Sequence, residues 1–528
     1  MTFHDFRRTR KLGLLALVGG LTVATTAQAA EVTLRSSDGT VNMTGEFVDF
    51  QDNAYIIATA LGEMRIAANR VSCIGAGCPQ LNTEEADVVL SGADAIAQGM
   101  MPLLLEGYAG SLNAAAELGN LSNVNNIFAR LTGEEGFGDE IGTFLVKATG
   151  SAEGFDELLA GTAEIGMSSR RIREDEASVL AANGAGDMFA PQQEHIIAVD
   201  SLVVITHPEN PVTTLTADQL QRIYSGQITN WNSVGGPNLP ISVVGYPEGS
   251  AERDVFEDRI FGDRLAQLAS SAEIVETNND AAQRVNATPG AVSFVGYAFQ
   301  RGAKPLSLIN ECGIRMQPTA FAARTEEYAL QRRLYLYTRG DSISEQSRNL
   351  VDFATSSAAD ALINKSGFIG FGVDRQEQVL GGSRGLSLLN ENVDPYEGQI
   401  MRQMVAQMTQ HDRLSTTFRF ATGSARLDER GRIDMARLIE YLEGQPQGTE
   451  VLMVGFTDDV GRFENNRILA EGRAAQVLDE IRAAGGSRLD DIRFRSVGYG
   501  EVAPSGCNAD VEGRRINRRV EVWIKSPA

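Results

Sequence analysis

The chain has 528 residues, 43% of them hydrophobic and 22% charged, values that exclude a disordered, collagen-like or polytopic membrane protein and leave room for about three or four domains. The formal net charge of −22 excludes a general phosphate-neutralising surface, so no nucleic-acid partner is expected. The four histidines, His4, His195, His207 and His411, show no metal-ligand spacing, and neither a metal nor a cofactor is expected.

Arg7, Arg8, Arg10 and Lys11 precede an apolar run from Leu12 to Val23, which ends in Ala27-Gln28-Ala29. That is a secretory signal peptide over residues 1–29. Its apolar run is shorter than the roughly 20 residues of a spanning helix, so an exported protein without a helical anchor is expected. Export permits disulfides. Cys73 and Cys78 close a short Cys-Ile-Gly-Ala-Gly-Cys loop, which suits a local structural bridge better than zinc. Cys312 and Cys507 fall in different expected domains, so the sequence leaves their pairing open, free thiols included.

Residues 30–82 alternate apolar and polar positions (Val32, Leu34; Val41, Met43; Tyr55, Ile57; Met64, Ile66), with turns at Asp38-Gly39 and Asp52-Asn53. They predict a small antiparallel β-module with a packing or spacer role. Residues 86–390 alternate short β-branched runs (Asp87–Leu90, Ile241–Val244, Ala291–Val295) with helical patterns, which is an α/β signature. Thr216-Ala217-Asp218-Gln219 is a capping box that starts one of those helices. Trp231, Tyr224 and Phe294 are expected in the core of this region. Residues 391–412 carry a Met-rich connecting helix, Ile400–Met408, with core-packing methionines.

Residues 413–528 read as strand (Thr417–Phe420), helix (Asp428–Leu442), strand (Glu450–Phe456), helix (Asn465–Ala484), and strands Arg493–Val497 and Arg519–Ile524. This is a compact α+β sandwich. Ile433, Leu438, Ile439, Leu442, Leu469, Val477, Leu478 and Ile481 are expected to cover one face of its sheet.

The strand ending at Phe456 presents Thr457, Asp458 and Asp459 on a loop, and Asn466 and Arg473 follow two helical turns apart, on one face with Leu469. A carboxylate beside a guanidinium fork can clamp a zwitterion, Asp458 taking an ammonium and Arg473 a carboxylate. The ordered segments Gly455-x-Thr457-Asp458-x-x-Gly461, Asn466-x-x-Leu469-x-x-x-Arg473-Ala474, Gly498-Tyr499-Gly500-Glu501 and Gly513-Arg514-x-x-Asn517-Arg518-Arg519-Val520-Glu521 resemble the OmpA-like domain shared with Pal and MotB. The resemblance implies non-covalent binding of peptidoglycan through the diaminopimelate side chain of its stem peptide. The key Asp and Arg align with Asp458 and Arg473, and Thr457, Asn466 and Arg519 fall at further pocket positions. Arg518 and Arg519 equally suit buried ion pairs supporting the sheet. Ala470 departs from the serine of many members.

In the central region, Gly161–Arg170, Leu215–Asn232 and Val292–Tyr297 together resemble PstS-like periplasmic phosphate-binding proteins. The resemblance implies two α/β lobes closing on an anion held at helix N-termini. The cleft loops are then Ser91-Gly92-Ala93-Asp94, Thr149-Gly150-Ser151, Ser168-Ser169-Arg170 and Gly249-Ser250-Ala251-Glu252. Ala93 and Ala95 stand where relatives usually have Ser or Thr. Gly249-Ser250-Ala251-Glu252 stands for Gly-Ser-Gly-Thr, and Tyr246 stands where an arginine often precedes that turn. Asp94, Glu153 and Glu252 place carboxylates near the intended anion, while Arg170, Arg171 and Arg253 could restore positive charge.

No nucleophile elbow, phosphate loop or triad is present, so no enzyme is expected. The fold class is multidomain: a small N-terminal β-module, a two-lobed α/β periplasmic-binding domain, and a C-terminal α+β OmpA-like sandwich. The expected protein is periplasmic, bound to the wall of a Gram-negative-type envelope, with phosphate or a related oxyanion as solute and an ABC transporter or envelope protein as partner. The alternative is a wall-anchored structural or sensory protein whose central domain takes another ligand or a protein.

Overall fold

The structure is a computed structural model that describes residues 31–36, 42–51, 54–60, 62–67, 71–75, 77–78, 86–120, 126–133, 140–262, 266–382, 384–385, 388–389, 394–420 and 429–525. The leader expected over residues 1–29 lies outside them. Residues 1–79 and 80–528 form two compact units. Among the described residues no helix is long and apolar enough to cross a membrane.

In the first unit five strands, Glu31–Ser36, Asn42–Gln51, Ala54–Thr59, Gly62–Ala67 and Val71–Ile74, make one antiparallel sheet, the last strand pairing with the first. The alternation buries Val32, Leu34, Tyr55 and Ile57 on one face. Cys73 and Cys78 are disulfide-bonded, their Cα atoms 5.9 Å apart.

The second unit begins with a sheet shared by two lobes. At its middle lie two long antiparallel strands, Glu194–Thr206 and Gln331–Thr338. On one side Ile165–Ser168 and Val88–Gly92 continue the sheet, and on the other Ala291–Gly296 and Ser242–Gly245. Helices on both faces bury these strands, which explains their near-continuous apolar runs. Each lobe has its own core, one around Leu90, Phe144 and Leu336, the other around Val204, Trp231 and Phe294. Helix Ala217–Tyr224 starts at the capping box: Gln219 N donates to Thr216 Oγ1 at 3.0 Å, and Thr216 N donates to Gln219 Oε1 at 2.9 Å.

The C-terminal sheet runs, in spatial order, Arg375–Gln376, Asp412–Arg419, Arg519–Lys525, Glu450–Gly455 and Arg493–Gly498. Helices Glu429–Glu443 and Phe463–Gly485 pack on one face through Leu438, Ile439, Leu442, Val477 and Ile481. The opposite face is covered by helix Pro395–Met408, whose Met401, Met404 and Met408 pack against Leu452, Val454 and Trp523. The expected connecting helix is therefore a layer of the fold, because its methionines find an uncovered apolar sheet face. Two other expected core residues lie elsewhere. Leu469 is 47% exposed, and Ile433 packs against a core cluster of the first lobe, with Phe155, Tyr337 and Phe371.

This module docks on both lobes. Arg437 Nε donates to Asp360 Oδ2 at 2.7 Å on the first lobe. Arg413 forks onto Glu327 at 2.7 and 3.0 Å just before the central strand Gln331–Thr338. Helix Val511–Asn517, missed in the sequence, sends Arg515 Nη1 to Glu326 Oε2 at 3.0 Å. Cys312 of the second lobe is disulfide-bonded to Cys507 of the module across 195 positions, so neither is a free thiol.

Candidate functional site

Two sites follow from this framework. In the C-terminal module, strand Glu450–Gly455 runs into the loop that carries Thr457 and Asp458, and helix Phe463–Gly485 lies across the strand end. The close approach requires glycine at two positions: a Cβ on Gly455 would come within 1.9 Å of Ala470 O, and one on Gly498 within 2.2 Å of Glu471 N. Asn466, Ala470, Arg473 and Ala474 form the buried face of the helix. Leu469 points outward, because the face follows the four-residue step through Ala470 rather than the three-residue step through Leu469.

Asn466 Nδ2 donates to Asp458 O at 3.3 Å and also to Glu501 Oε2, fixing the acidic loop on the helix. Asp458 Oδ2 accepts from Arg518 Nη1 at 2.7 Å. Arg473 stacks over Phe420, its guanidinium carbon 5.4 Å from the ring centre. Burial, with the Arg518 charge second, pulls Arg473 below its ordinary value, while Asp458 acts in the opposite direction. Among the described residues, the buried Arg473 Nη1 and Thr457 Oγ1 have no hydrogen-bond partner. Asn466 and Arg518 thus contact Asp458, the charges of Asp458 and Arg473 interact, and Thr457 precedes Asp458 on the same loop. The group offers one carboxylate, two guanidiniums and two unused polar atoms, which suits the head of an amino acid.

Arg519 is placed elsewhere, which corrects its assignment to the pocket. It is 0% exposed, lies 4.0 Å from the Phe456 ring centre, and donates to Glu521 Oε1 at 2.8 Å and Ala503 O at 2.9 Å. Burial pulls its guanidinium down to about 10 against the opposing Glu521 charge. Alternation along strand Arg519–Lys525 turns this side chain into the module, whereas Arg518, at the strand's threshold, faces the pocket.

The second site is the cleft between the lobes. Ser91 Oγ lies 2.8 Å from Thr149 Oγ1, Ala93 N donates to Met167 O at 2.9 Å, and Ser169 N donates to Ser151 Oγ at 3.2 Å. A Cβ on Gly92 would meet Met167 O at 1.9 Å, so these loops need that glycine to pack. Ser250 caps helix Ala251–Ile260, leaving Gly249 and Ala251 as backbone contributors. The expected loops are therefore built, but their positive charge is committed. Arg170 forks onto Glu176 at 2.6 and 2.8 Å, Arg171 onto Glu194 at 2.8 and 2.9 Å, and Arg253 Nε donates to Glu257 at 2.7 Å.

A residue the sequence did not flag sits at the cleft floor. Arg332, 3% exposed, bridges Asp200 Oδ2 at 2.8 Å and Glu252 Oε1 at 3.1 Å. Burial pushes Glu252 up, but Arg332, its own backbone N–H and Asn278 outweigh it and hold the carboxyl below its ordinary value. Burial raises Asp94, and the charges of Glu252 and Glu153 raise it further. Carboxylates from both lobes thus share one space, each at a helix N-terminus that would otherwise favour a bound anion. Among the described residues no group of three His, Cys, Asp or Glu could hold a metal ion.

These features define a two-lobed α/β fold with a C-terminal α+β domain docked on it. More particularly, residues 119–358 match the PBP superfamily domain model and residues 419–518 match the OmpA family model. The phosphate-binding protein PstS of Borreliella burgdorferi is 26% identical over 230 residues, covering 42% of this chain and 78% of that protein. A putative phosphate ABC transporter substrate-binding protein with bound phosphate from Clostridium perfringens is 21% identical, with a TM-score of 0.42, covering 54% of this chain and 98% of the other. The periplasmic domain of Helicobacter pylori MotB is 23% identical, with a TM-score of 0.20, covering 22% of this chain and 76% of the other.

Proposed function

We propose that this is an exported periplasmic protein held non-covalently to peptidoglycan by its C-terminal module, with a PstS-like domain for phosphate or a related oxyanion fixed at the wall. The observation that carries the mooring is the charge interaction of Asp458 with Arg473, where the buried donors Arg473 Nη1 and Thr457 Oγ1 have no partner among the described residues. Diaminopimelate suits it: the ammonium goes to Asp458, and the carboxylate to Arg473 with Arg518 beside it. The docked module holds the cleft in a set orientation to the wall, raising its effective concentration near an envelope partner such as an ABC transporter.

A second interpretation of the cleft is favoured by the shared carboxylates. With Asp94, Glu153 and Glu252 across it and its arginines paired, the domain takes a different ligand or a protein partner, and the whole acts as a wall-anchored structural or sensory protein. Sedimentation with purified sacculi tests the mooring: the protein is expected in the pellet and Asp458→Ala in the supernatant, and retention of the variant overturns it. Calorimetric titration of the full chain with phosphate decides the cleft: heat of binding supports the oxyanion, and a flat trace supports the second interpretation.

A further inference from the structure

The C-terminal module is fastened to the two lobes at separate places. On the first lobe, Arg437 of helix Glu429–Glu443 donates through Nε to Asp360 Oδ2 at 2.7 Å and through Nη2 to Thr355 O at 3.0 Å. The other oxygen of Asp360 accepts from Phe371 N at 2.9 Å, which seats the carboxylate in its own lobe. On the second lobe, Cys312 is disulfide-bonded to Cys507, and Arg259 Nη1 lies 3.6 Å from Glu512 Oε1. A third fastening precedes the strand shared by the lobes: Ser505 Oγ donates to Glu327 Oε1 at 2.8 Å, on the carboxylate that also takes the Arg413 fork.

Within the module these attachment points are fixed relative to one another. The helix that carries Arg437 packs on the sheet through Leu438, Ile439 and Leu442. The Cys507 loop is held by Asn517, whose Oδ1 accepts from Ser505 N at 2.8 Å and Gly506 N at 2.9 Å and whose Nδ2 donates to Gly506 O at 2.8 Å, just before strand Arg519–Lys525 of the same sheet. A packed core deforms little, so first lobe, module and second lobe form a closed mechanical circuit around the central strands. Turning one lobe against the other requires a fastening to break. The disulfide cannot break without a reductant, so the Arg437–Asp360 contact is the one that must give.

The lobes also meet directly, Arg173 Nη2 of the first donating to Asp254 Oδ2 of the second at 2.7 Å. These side chains are 53% and 27% exposed, and so open a pair adds little stability. Arg437 and Asp360 are each only 11% exposed and carry further hydrogen bonds, so the hold on the lobe angle lies with the module. We infer that the C-terminal module is a brace that keeps the two lobes in contact, with Cys312–Cys507 its fixed half and Arg437–Asp360 its releasable half, so that a solute enters the cleft only after the releasable half lets go. The entry step rests on the solute-binding interpretation of the cleft; the brace itself is measured without solute.

Double electron–electron resonance on the full chain tests the brace, with spin labels on unnatural amino acids at the exposed positions Val179 and Asp218, one on each lobe, so that both disulfides stay intact. The otherwise unaltered chain is expected to give one narrow distance. Arg437→Gln is expected to add a population at longer distance, and Arg437→Gln with Cys312→Ser and Cys507→Ser to make the longer distance predominant. If the triple variant does not fold, Arg437→Gln decides. Arg173→Gln is expected to leave the distance unchanged. The same narrow distance in the Arg437 variants, a broad distribution already in the unaltered chain, or a shift in Arg173→Gln equal to that in Arg437→Gln overturns the inference. Phosphate calorimetry judges the solute interpretation separately: a flat trace there, together with the longer population here, removes the solute and supports the brace.

Discussion

The Asp458–Arg473 site and the cleft between the lobes are both assembled from charged side chains at the ends of strands and helices, yet they differ in what they leave unspent. In the first, the buried Arg473 Nη1 and Thr457 Oγ1 have no partner among the described residues. In the cleft Arg170, Arg171 and Arg253 are each committed to a neighbouring carboxylate, and Arg332 to two. A binding site for a charged ligand keeps donors in reserve, at a cost to stability. A structural ion network uses them up. The contrast separates a site poised for a partner from one that has largely satisfied itself.

The sharpest way to break this comparison is to exchange the two kinds of arginine. Arg519→Met, which removes one of the guanidiniums that hold the buried Glu521 and leaves Ala503 O without its donor, is expected to destabilise the module by about 3–5 kcal/mol in denaturant unfolding. Arg473→Met is expected to leave stability unchanged or higher while releasing the protein from sacculi. Equal losses of stability would show that Arg473 is structural as well. Next in size, Cys507→Ser is expected to cost about 2–5 kcal/mol and to lower the unfolding midpoint of the full chain, because it opens a loop of 195 positions.

The docking network has a pH signature. Burial pushes Glu327 up, but Arg413 and Arg384 outweigh it and hold the carboxyl at about 2 against an ordinary 4.5. A lowered carboxyl binds its proton less readily in the folded state, so its stabilisation is present above about 4.5 and is lost as pH falls through about 2. Acid titration followed by unfolding should show this loss, and Glu327→Gln should flatten that part of the profile. The smallest expected effect is in the cleft. Glu252→Thr removes one carboxylate facing an anion and should raise phosphate affinity on the order of tenfold by calorimetry. An unchanged affinity would mean that the carboxylates do not control the cleft.

Much of the local structure was legible in the sequence because it is locally encoded. The Thr216–Gln219 capping box starts its helix as the pattern dictates, and the strands at Glu450 and Arg519 follow their apolar runs. The motif glycines at 455 and 498 are explained by close helix approach. Leu469 was misplaced because three-residue and four-residue steps both satisfy a helical period, and only packing chooses between them. The non-local features had no sequence signal: the Cys312–Cys507 bridge, the two-residue edge strand Arg375–Gln376 and the Arg332 bridge at the cleft floor join segments far apart in the chain. Arg518 and Arg519 are adjacent with opposite fates, which only the strand's register decides.

The most direct measurement is calorimetric titration of the full chain with a stem tripeptide ending in diaminopimelate, beside the same peptide ending in lysine. Saturable heat with the first, weaker binding of the second for want of its extra carboxylate, and loss of both in Arg473→Ala is the expected pattern. No heat with the diaminopimelate peptide, or binding that survives Arg473→Ala, would contradict the mooring.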